Sequence, residues 1–240
     1  MNFDFLKEPE VQLLFSLFNE NAKDLFVVGG AVRNEIAGFP ITDIDFSTPA
    51  KPDEITNILG SAQIEFSDKG KKFGTICANI NGKTFEITSF RKDMYGKSRF
   101  PKVEFIKNRR IDAWRRDFTM NAIYVNQNME IFDQFNGIND IKNGVVRFIG
   151  NASKSISNDP LRILRYFRFC SQYFYENFDE DTFNLCMREF SKTFVLSRKK
   201  FATELEKIQC GKGKNIILDK WEKSGILKAI QNFTKEENVK

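Results

Sequence analysis

The stretch Leu25-Phe-Val-Val-Gly-Gly-Ala-Val-Arg-Asn34, followed by Thr42-Asp-Ile-Asp-Phe-Ser47, decides how this chain is interpreted. The apolar run predicts a strand, and the glycine pair after it lets backbone N–H groups at a helix start approach an anion. The second segment, with the isoleucine just before it, predicts another strand over Ile41–Ser47. Its period-2 alternation puts Asp43 and Asp45 on one face and the apolar residues that follow them in the core. A phosphate cradle beside two such carboxylates suits a nucleoside triphosphate carrying Mg²⁺.

Each half of this pattern has an ordinary alternative. A glycine pair at a strand end is commonly a plain turn, and two alternating carboxylates are commonly a solvated pair. The two halves at this spacing, together with later segments, favour a functional site.

Composition narrows the chemistry. The chain of 240 residues is long enough for one or two domains, and its net charge of +5 mildly favours a polyanionic partner. The sequence contains no histidine, which excludes histidine-dependent triads, histidine general bases and ordinary zinc catalysis. Chemistry must therefore use carboxylates, Lys or Arg, and a metal. The four cysteines are scattered, which is typical of reduced thiols in the cytoplasm.

The sequence also argues against a membrane protein. It contains no apolar run of about 18 residues, so we expect no membrane span and no membrane partner. The N-terminal segment lacks the basic start and apolar stretch of a signal peptide. These observations predict a cytoplasmic protein.

A hairpin is predicted next, with strands over Thr75–Ile80 and Lys83–Thr88 joined by an Asn-Gly type I′ turn. This register pairs Ala78 with Phe85 on the core face and leaves Glu86 on the polar face. Glu86 is therefore a candidate metal ligand or base. An ordinary solvent-facing glutamate fits the periodicity equally well.

The basic and aromatic segment from Arg91 to Arg110 shows little periodicity, which predicts a mobile loop that could touch substrate. Trp114-Arg-Arg-Asp117 follows. Its arginines could clamp a triphosphate and Asp117 could accept from a ribose hydroxyl, although such a string is also common on protein surfaces.

The turn-rich segment from Phe132 to Gly150 predicts the exit from the first domain, and helices follow it. In Asp159-Pro-Leu-Arg162, proline stands at the predicted helix start. Arg165 and Arg168 continue the row of arginines at a spacing of three. The structural alternative is an N-cap aspartate followed by a solvated basic stripe.

With these residues in view, the chain resembles the class II tRNA nucleotidyltransferases (CCA-adding enzymes) of the polymerase β-like nucleotidyltransferase superfamily. The resemblance covers about residues 24–210. The matching segments, in order, are Gly29–Arg33 with Asp43–Asp45, Lys72–Thr75, Glu86–Arg91, Arg115–Ala122 and Asp159–Arg162.

The resemblance implies an α+β fold, with a small mixed or antiparallel sheet flanked by helices. This head domain (1–145) would be followed by an all-α neck (146–210) and a shortened helical body (211–240). It also implies roles for single residues. Catalysis would use Asp43 and Asp45, which would hold Mg²⁺, and Glu86 joins them as the candidate that the strand pattern gives. Nucleotide binding would use Gly29, Gly30, Arg33, Arg116, Asp117, Asp159, Arg162, Arg165 and Arg168.

The implied reaction adds C and A to the 3′ end of tRNA from CTP and ATP, without a nucleic-acid template. Cytosine and adenine both present an exocyclic amine donor beside a ring-nitrogen acceptor. A carboxylate (Asp159) next to a guanidinium (Arg162) matches that order, whereas guanine and uracil present it reversed. The resulting unpaired polar groups would cost about 1–3 kcal/mol each.

The chain departs from the family pattern with Asn34 for an expected Asp, Phe73 for a frequent His and Asn158 for an expected Glu. Lys199-Lys200 also stands where Glu-Arg is expected, near Glu204. The alternative within the same class is an enzyme that adds only A or only CC. Poly(A) polymerase ranks below it, and an inactive RNA-binding module ranks last. The sequence does not decide between a monomer and a homodimer.

Overall fold

The computed structural model describes residues 2–96, 101–173 and 178–235. Contacts divide the chain into two compact units, Met1–Ile138 and Asn139–Lys240. The domain boundaries expected after residues 145 and 210 stay predictions. Within the described ranges, no helix is both long and apolar enough to cross a bilayer.

The first unit contains the strands and the first helices. Its strands are β1 (Phe26–Val28), β2 (Asp45–Thr48), β3 (Glu65–Ser67), β4 (Thr75–Ile80), β5 (Lys83–Ser89), β6 (Arg91–Met94), β7 (Lys102–Phe105), β8 (Ile123–Val125) and β9 (Ile131–Asp133). Its helices are α1 (Pro9–Glu20), α2 (Gly30–Ala37), α3 (Pro52–Ser61) and α4 (Arg109–Trp114), and α5 (Gly137–Lys142) spans the division. Short 3₁₀ turns cover Asp4–Lys7, Lys71–Phe73 and Thr119–Asn121.

Seven strands form one mixed sheet in the order β3-β4-β5-β2-β1-β8-β9. The β2–β5 pair is parallel and the other pairs are antiparallel. The predicted α+β fold with a small mixed sheet is thereby confirmed. The predicted hairpin is also confirmed, because Ala78 pairs with Phe85 and the turn residues Asn81 and Gly82 have φ of 53° and 78°.

One face of this sheet forms the core of the first unit. Val27, Phe46 and Ile87 point into it and are almost completely buried, and α1 and α3 pack there. The rings of Phe15 on α1 and Phe46 on β2 meet edge to face, with centroids 5.8 Å apart. Because side chains alternate along each strand, Asp45 and Glu86 are left on the opposite face.

Two predictions about local structure are wrong. The strand expected over 41–47 begins only at Asp45, because β1 ends at Val28, the pairing partner of Asp45. The segment expected to be a mobile loop instead contains the two-stranded ribbon β6–β7 and then α4. Its charged residues concealed the strand pattern, since Lys92 lies opposite Glu104 across the ribbon. Residues 97–100 of that segment lie outside the described residues.

The second unit is helical. It contains α6 (Ala152–Asn158), α7 (Leu161–Gln172), α8 (Glu180–Arg188), a 3₁₀ segment (Phe190–Val195), α9 (Arg198–Gln209), α10 (Lys214–Lys223) and α11 (Ile226–Lys235). Aromatic rings dominate its core: Phe167 lies 5.2 Å from Phe183 and 5.1 Å from Trp221, between ring centroids. All four cysteines are unpaired, as expected of reduced thiols.

Candidate active site

The glycine turn after β1 is built for a conformation that other residues avoid. Gly29 has φ 83° and ψ −122°, a region that is essentially restricted to glycine, and it serves as the N-cap of α2. A Cβ on Gly29 would lie 3.8 Å from Nη1 of Arg116, and one on Gly30 would lie 3.9 Å from Nη2 of Arg33. The turn therefore lies beside two guanidinium groups, which is a suitable environment for an anion.

Arg33 is fixed by amide side chains. Its Nη1 donates to Oδ1 of Asn121 at 2.5 Å, and its Nε and Nη2 donate to Oδ1 of Asn34 at 3.2 and 2.9 Å. Asn121 in turn donates to Oδ1 of Asp117 at 2.9 Å. Asp117, which was predicted to lie near a ribose, is thus buried in the network that orients Arg33.

Arg116 is anchored by a buried carboxylate and a phenol. Its Nε donates to the hydroxyl of Tyr124 at 3.0 Å, and its Nη2 donates to Oδ2 of Asp112 at 3.4 Å. The Tyr124 hydroxyl donates to the same oxygen of Asp112 at 2.6 Å. Nε of Arg115 donates to the other oxygen of Asp112 at 2.7 Å, and so does the backbone N–H of Arg91, at 3.0 Å.

Asp112 is completely buried. Burial acts to raise the pKa of its carboxyl, but Arg115, Arg116 and the hydrogen bond from Tyr124 outweigh burial and hold that pKa below its ordinary value. The carboxylate is therefore ionised at neutral pH. Burial raises the pKa of the Tyr124 phenol; the charge of Arg116 opposes this rise and the charge of Asp112 adds to it. The phenol therefore stays protonated and can donate its hydrogen bond to Asp112.

A row of carboxylates crosses the polar face of the sheet. Asp45 pairs with Glu86 across the parallel β2–β5 pair, and Glu86 pairs with Cys77 across the hairpin. Burial, and after it the Glu86 carboxylate, raises the pKa of Asp45 to about 6. Arg116 opposes this rise and Asp43 adds to it. The site therefore concentrates negative charge, which a bound cation would relieve.

Asp43 lies just before β2. Its side chain is exposed and Oδ2 accepts a hydrogen bond from Oγ1 of Thr42 at 2.9 Å. The exposure of the side chains alternates as predicted, because Ile44 and Phe46 are buried while Asp43 is exposed. Because Asp43 precedes the strand, the expected placement of Asp43 and Asp45 on one face stays a prediction.

The residues present fit a Mg²⁺ ion that is shared with a substrate. In the parts of the chain that the structure describes, no group of three or more Cys, Asp or Glu side chains could hold a metal ion by itself. Mg²⁺ commonly uses only one or two protein carboxylates and completes its shell with water and substrate phosphates. Asp43 and Asp45, which the sequence predicts as ligands, are carboxylates of the kind that could supply that set.

The remaining predicted site residues lie in the second unit. Oδ1 of Asp159 accepts from the backbone N–H of Leu161 at 3.0 Å at the start of α7. Arg162 is buried, and its Nη1 donates to Oγ of Ser155 at 2.6 Å. These contacts orient the aspartate and the guanidinium that the sequence predicts to recognise a base.

Arg165 and Arg168 continue along α7. The guanidinium of Arg168 lies 4.4 Å from the ring centroid of Phe169, and that of Arg165 lies 5.6 Å from it. Nε of Arg168 also lies 3.0 Å from Oε2 of Glu204 on α9. Arg168 is therefore held by packing and charge within the second unit.

The structure therefore groups the predicted residues in two sets. The first unit holds Gly29, Gly30, Arg33, Asp43, Asp45, Glu86, Arg116 and Asp117, and the second holds Asp159, Arg162, Arg165 and Arg168. Sequence reasoning missed Asp112 and Tyr124. Asp112 could have been found, because it lies on α4 three and four residues before Arg115 and Arg116, which directly follow this helix. Tyr124 gives no comparable signal.

A mixed sheet with a glycine turn, paired carboxylates and two anchored arginines beside that turn is typical of the class of nucleotidyltransferases with a polymerase β-like head. A family model described as the poly A polymerase head domain matches residues 25–147, which is about half of the chain. The chain belongs to this family, and the resemblance to the class II tRNA nucleotidyltransferases is confirmed.

Two curated relatives show the similarity. Human mitochondrial CCA tRNA nucleotidyltransferase 1 is 38% identical over 224 residues, covering 89% of this chain and 52% of the relative. The CCA-adding enzyme of Staphylococcus epidermidis is 39% identical over 206 residues, covering 85% of this chain and 50% of the relative. The chain thus spans about half the length of the curated relatives it matches.

Two solved structures of CCA-adding enzymes are also similar to this chain. The crystal structure of the Bacillus stearothermophilus CCA-adding enzyme in complex with CTP has a TM-score of 0.75 and 30% identity, covering 86% of this chain and 50% of that one. The Thermotoga maritima CCA-adding enzyme complexed with tRNA has a TM-score of 0.72 over 92% of this chain and 52% of that one. At 24% identity, this second match supports the fold alone.

Proposed function

We propose that this chain catalyses the template-independent addition of C and A to the 3′ end of tRNA, using CTP and ATP. The observation that carries this proposal is the position of Asp45. Asp45 pairs with Glu86 on the neighbouring strand. The charge of Arg116, whose guanidinium lies beside Gly29, acts to lower the pKa of Asp45. A carboxylate row beside a phosphate-binding turn suits nucleotidyl transfer. The names of the curated relatives, and the CTP in the structure of the Bacillus stearothermophilus enzyme, support the choice of substrates.

In the proposed reaction the RNA 3′-hydroxyl attacks the α-phosphorus in line. A new P–O3′ bond forms, the bond between the α- and β-phosphates breaks, and pyrophosphate leaves. Arg33 and Arg116 hold the triphosphate over the Gly29–Gly30 turn, because both guanidiniums are oriented toward it by buried partners. Glu86 lies next to Asp45 and is the candidate acceptor for the hydroxyl proton or a further metal ligand.

Asp43 and Asp45 would hold Mg²⁺. When bound, this ion lowers the pKa of the attacking hydroxyl and stabilises charge on the leaving oxygen. The raised pKa of Asp45 supports the assignment, since a divalent cation favours the ionised form of a carboxylate among like charges.

Base choice is proposed to rest on Asp159 and Arg162. The Asp159 carboxylate is held at the start of α7 by the Leu161 N–H, and Arg162 is held by Ser155. Fixed in this way, the pair offers an acceptor beside donors, which complements cytosine and adenine.

Cytoplasmic localisation also remains a proposal, because one relative is named as mitochondrial.

The decisive assay supplies Mg²⁺ and each nucleoside triphosphate in turn to three tRNA transcripts, which end before CCA, after C and after CC. A CCA-adding enzyme extends the first two with C and the third with A. Extension of only the third transcript would identify an A-adding enzyme, and extension with C alone a CC-adding one. Long poly(A) tails would identify a poly(A) polymerase, and no extension of any transcript would contradict the proposal.

A further inference from the structure

Beside the candidate site, α4 and the residues before it present a basic and aromatic surface. We define the α4 surface as Lys107, Arg109, Arg110, Ile111 and Trp114. Trp114 is 56% exposed and Ile111 is 40% exposed, while Lys107 and Arg110 are exposed cations. A large exposed indole among cations is unusual for a surface that meets only water.

The α4 surface borders two clefts that share Arg109 and Arg110, with volumes of about 270 Å³ and about 680 Å³. The guanidinium of Arg109 lies 3.6 Å from the ring centroid of Phe132 and 4.8 Å from that of Phe26. The Trp114 indole meets the Phe135 ring edge to face at 4.9 Å. Both side chains are therefore held in place by aromatic packing, which lowers the entropy lost on binding.

The charges of the clefts favour an anionic partner. Their lining includes three cations, Lys107, Arg109 and Arg110, and two carboxylates, Asp24 and Asp133. Asp133 is already engaged, because its oxygens accept the backbone N–H groups of Gly137 and Ile138 at 2.8 and 2.9 Å. Cations interleaved with an exposed ring are typical of surfaces that bind single-stranded nucleic acid by phosphate contacts and base stacking.

The α4 surface is also rigidly connected to the candidate site. Asp112, on the buried side of α4, is bonded to Arg115, Arg116 and Tyr124. The exposed side of the same helix therefore has a fixed position relative to the guanidinium beside Gly29. An RNA end lying on α4 would approach the bound nucleotide from a defined direction.

We propose that the α4 surface binds the 3′ segment of the RNA substrate, with a base stacked on Trp114 and the adjoining phosphates held by Lys107 and Arg110. This inference rests on the proposed function, and it adds a binding surface that lies outside the nucleotide and metal sites.

The two tryptophans of the chain permit a direct test by fluorescence. Trp114 is exposed, whereas Trp221 is fully buried in the helical core of the second unit. Titration of the full chain with a tRNA transcript lacking CCA should quench the Trp114 emission and reduce its quenching by acrylamide. Trp114→Phe should remove this signal while keeping a ring for stacking.

Binding and its salt dependence test the same surface without relying on the indole signal. Trp114→Ala should weaken binding about 5-fold or more, the effect of losing one base–aromatic stack, and Trp114→Phe should restore most of the affinity. Lys107→Ala combined with Arg110→Ala should lower the slope of log K against log salt by about 1.4, since each phosphate contact to a single strand contributes about 0.7. Lys7→Ala, which removes an exposed cation that does not belong to the α4 surface, should leave both quantities unchanged.

The possible results of these experiments distinguish failure of the α4 proposal from failure of the proposed function. If the wild-type chain extends the RNA while saturating RNA leaves Trp114 emission and all variant affinities unchanged, the α4 proposal is overturned and the proposed function stands. If the wild-type chain neither binds nor extends RNA, both are overturned. A circular dichroism spectrum of each variant establishes that its fold is intact.

Discussion

Asp45 and Glu86 lie opposite each other across the parallel pair of β2 and β5, with both side chains on the same face of the sheet. Burial of Asp45, and after it the neighbouring Glu86 carboxylate, raises the pKa of Asp45 to about 6. Like charges held together at a cost in stability indicate a site that is organised for function.

The first prediction concerns stability and pH. Because the pKa of Asp45 is raised in the folded protein, ionising this residue costs folding free energy, and stability falls as pH rises from about 4 through 6. Asp45→Asn removes the cost. We expect it to stabilise the protein by about 1–3 kcal/mol at about pH 8 and to have no effect below about pH 4. Thermal unfolding across this pH range measures the difference.

Glu20→Gln is the matched control, because it neutralises an exposed carboxylate bonded to Ser16. It should change the unfolding temperature little at any pH.

A second comparison adds Mg²⁺, which should stabilise the wild-type protein more than Asp45→Asn because the ion binds the folded state. Equal responses to Mg²⁺ in both proteins would contradict the assignment of Asp45 as a ligand.

The second prediction concerns the anchoring of Arg116. Tyr124→Phe removes the hydroxyl that links the Nε of Arg116 to Asp112. We expect a loss of about 1–2 kcal/mol in stability and weaker binding of CTP and ATP, because the guanidinium is no longer held beside Gly29. Asp112→Asn should destabilise more, by about 3–5 kcal/mol, since it leaves two arginines without their buried counter-charge.

Nucleotide affinity, measured by calorimetry on folded Tyr124→Phe protein, checks this prediction. Tyr166→Phe is the control, as it removes the hydroxyl of another buried tyrosine, in the second unit. If the two variants bind nucleotides equally well, Tyr124 has only a structural role.

The third prediction concerns the glycine turn. Gly29→Ala forces a Cβ onto a residue with φ 83° and ψ −122°, which we expect to cost about 1–3 kcal/mol and to disturb triphosphate binding. Gly38→Ala is the comparison, because Gly38 also has a positive φ, 72°, and open space around it. That change should cost about 1 kcal/mol and leave nucleotide affinity intact. Equal nucleotide affinity in the two variants would argue against the cradle.

The fourth prediction separates the two roles of Asp159. Asp159→Asn keeps an oxygen that can accept the Leu161 N–H but replaces a carboxylate acceptor with an amide. We expect base preference to relax toward G and U while stability is kept. Asp159→Ala should relax the preference and also cost about 1 kcal/mol through the lost hydrogen bond to the Leu161 N–H. Incorporation of each nucleotide under competition measures the preference, and an unchanged choice of C and A in both variants would remove Asp159 from base recognition.

Local patterns predicted much of the first unit. The Asn-Gly turn was sufficient for the hairpin register, and the alternation along the strands was sufficient to place Asp45 and Glu86 on the polar face, because both depend on neighbouring residues. The ribbon formed by β6 and β7 was not predicted, since its pairs rely on backbone hydrogen bonds and on opposite charges rather than on an apolar face. Its start is also tied to Asp112, whose carboxylate accepts the Arg91 N–H.

The anchoring of the arginines shows a second limit of sequence reasoning. The pattern Arg115-Arg-Asp117 predicted which residues could clamp a phosphate, but it did not indicate what orients them. Arg116 depends on Tyr124, and Arg33 depends on Asn121. These partners are brought together by the sheet and the turn at 119–121, so they become evident only when the chain is folded.

The most direct test of the central claim is single-nucleotide extension of a tRNA transcript lacking CCA, with CTP and Mg²⁺, by the wild-type chain and by Asp43→Asn and Asp45→Asn. The account predicts that the wild-type chain adds C and that neither variant does so, although both remain folded. Wild-type rates in either variant would contradict the claim that this carboxylate pair carries the reaction.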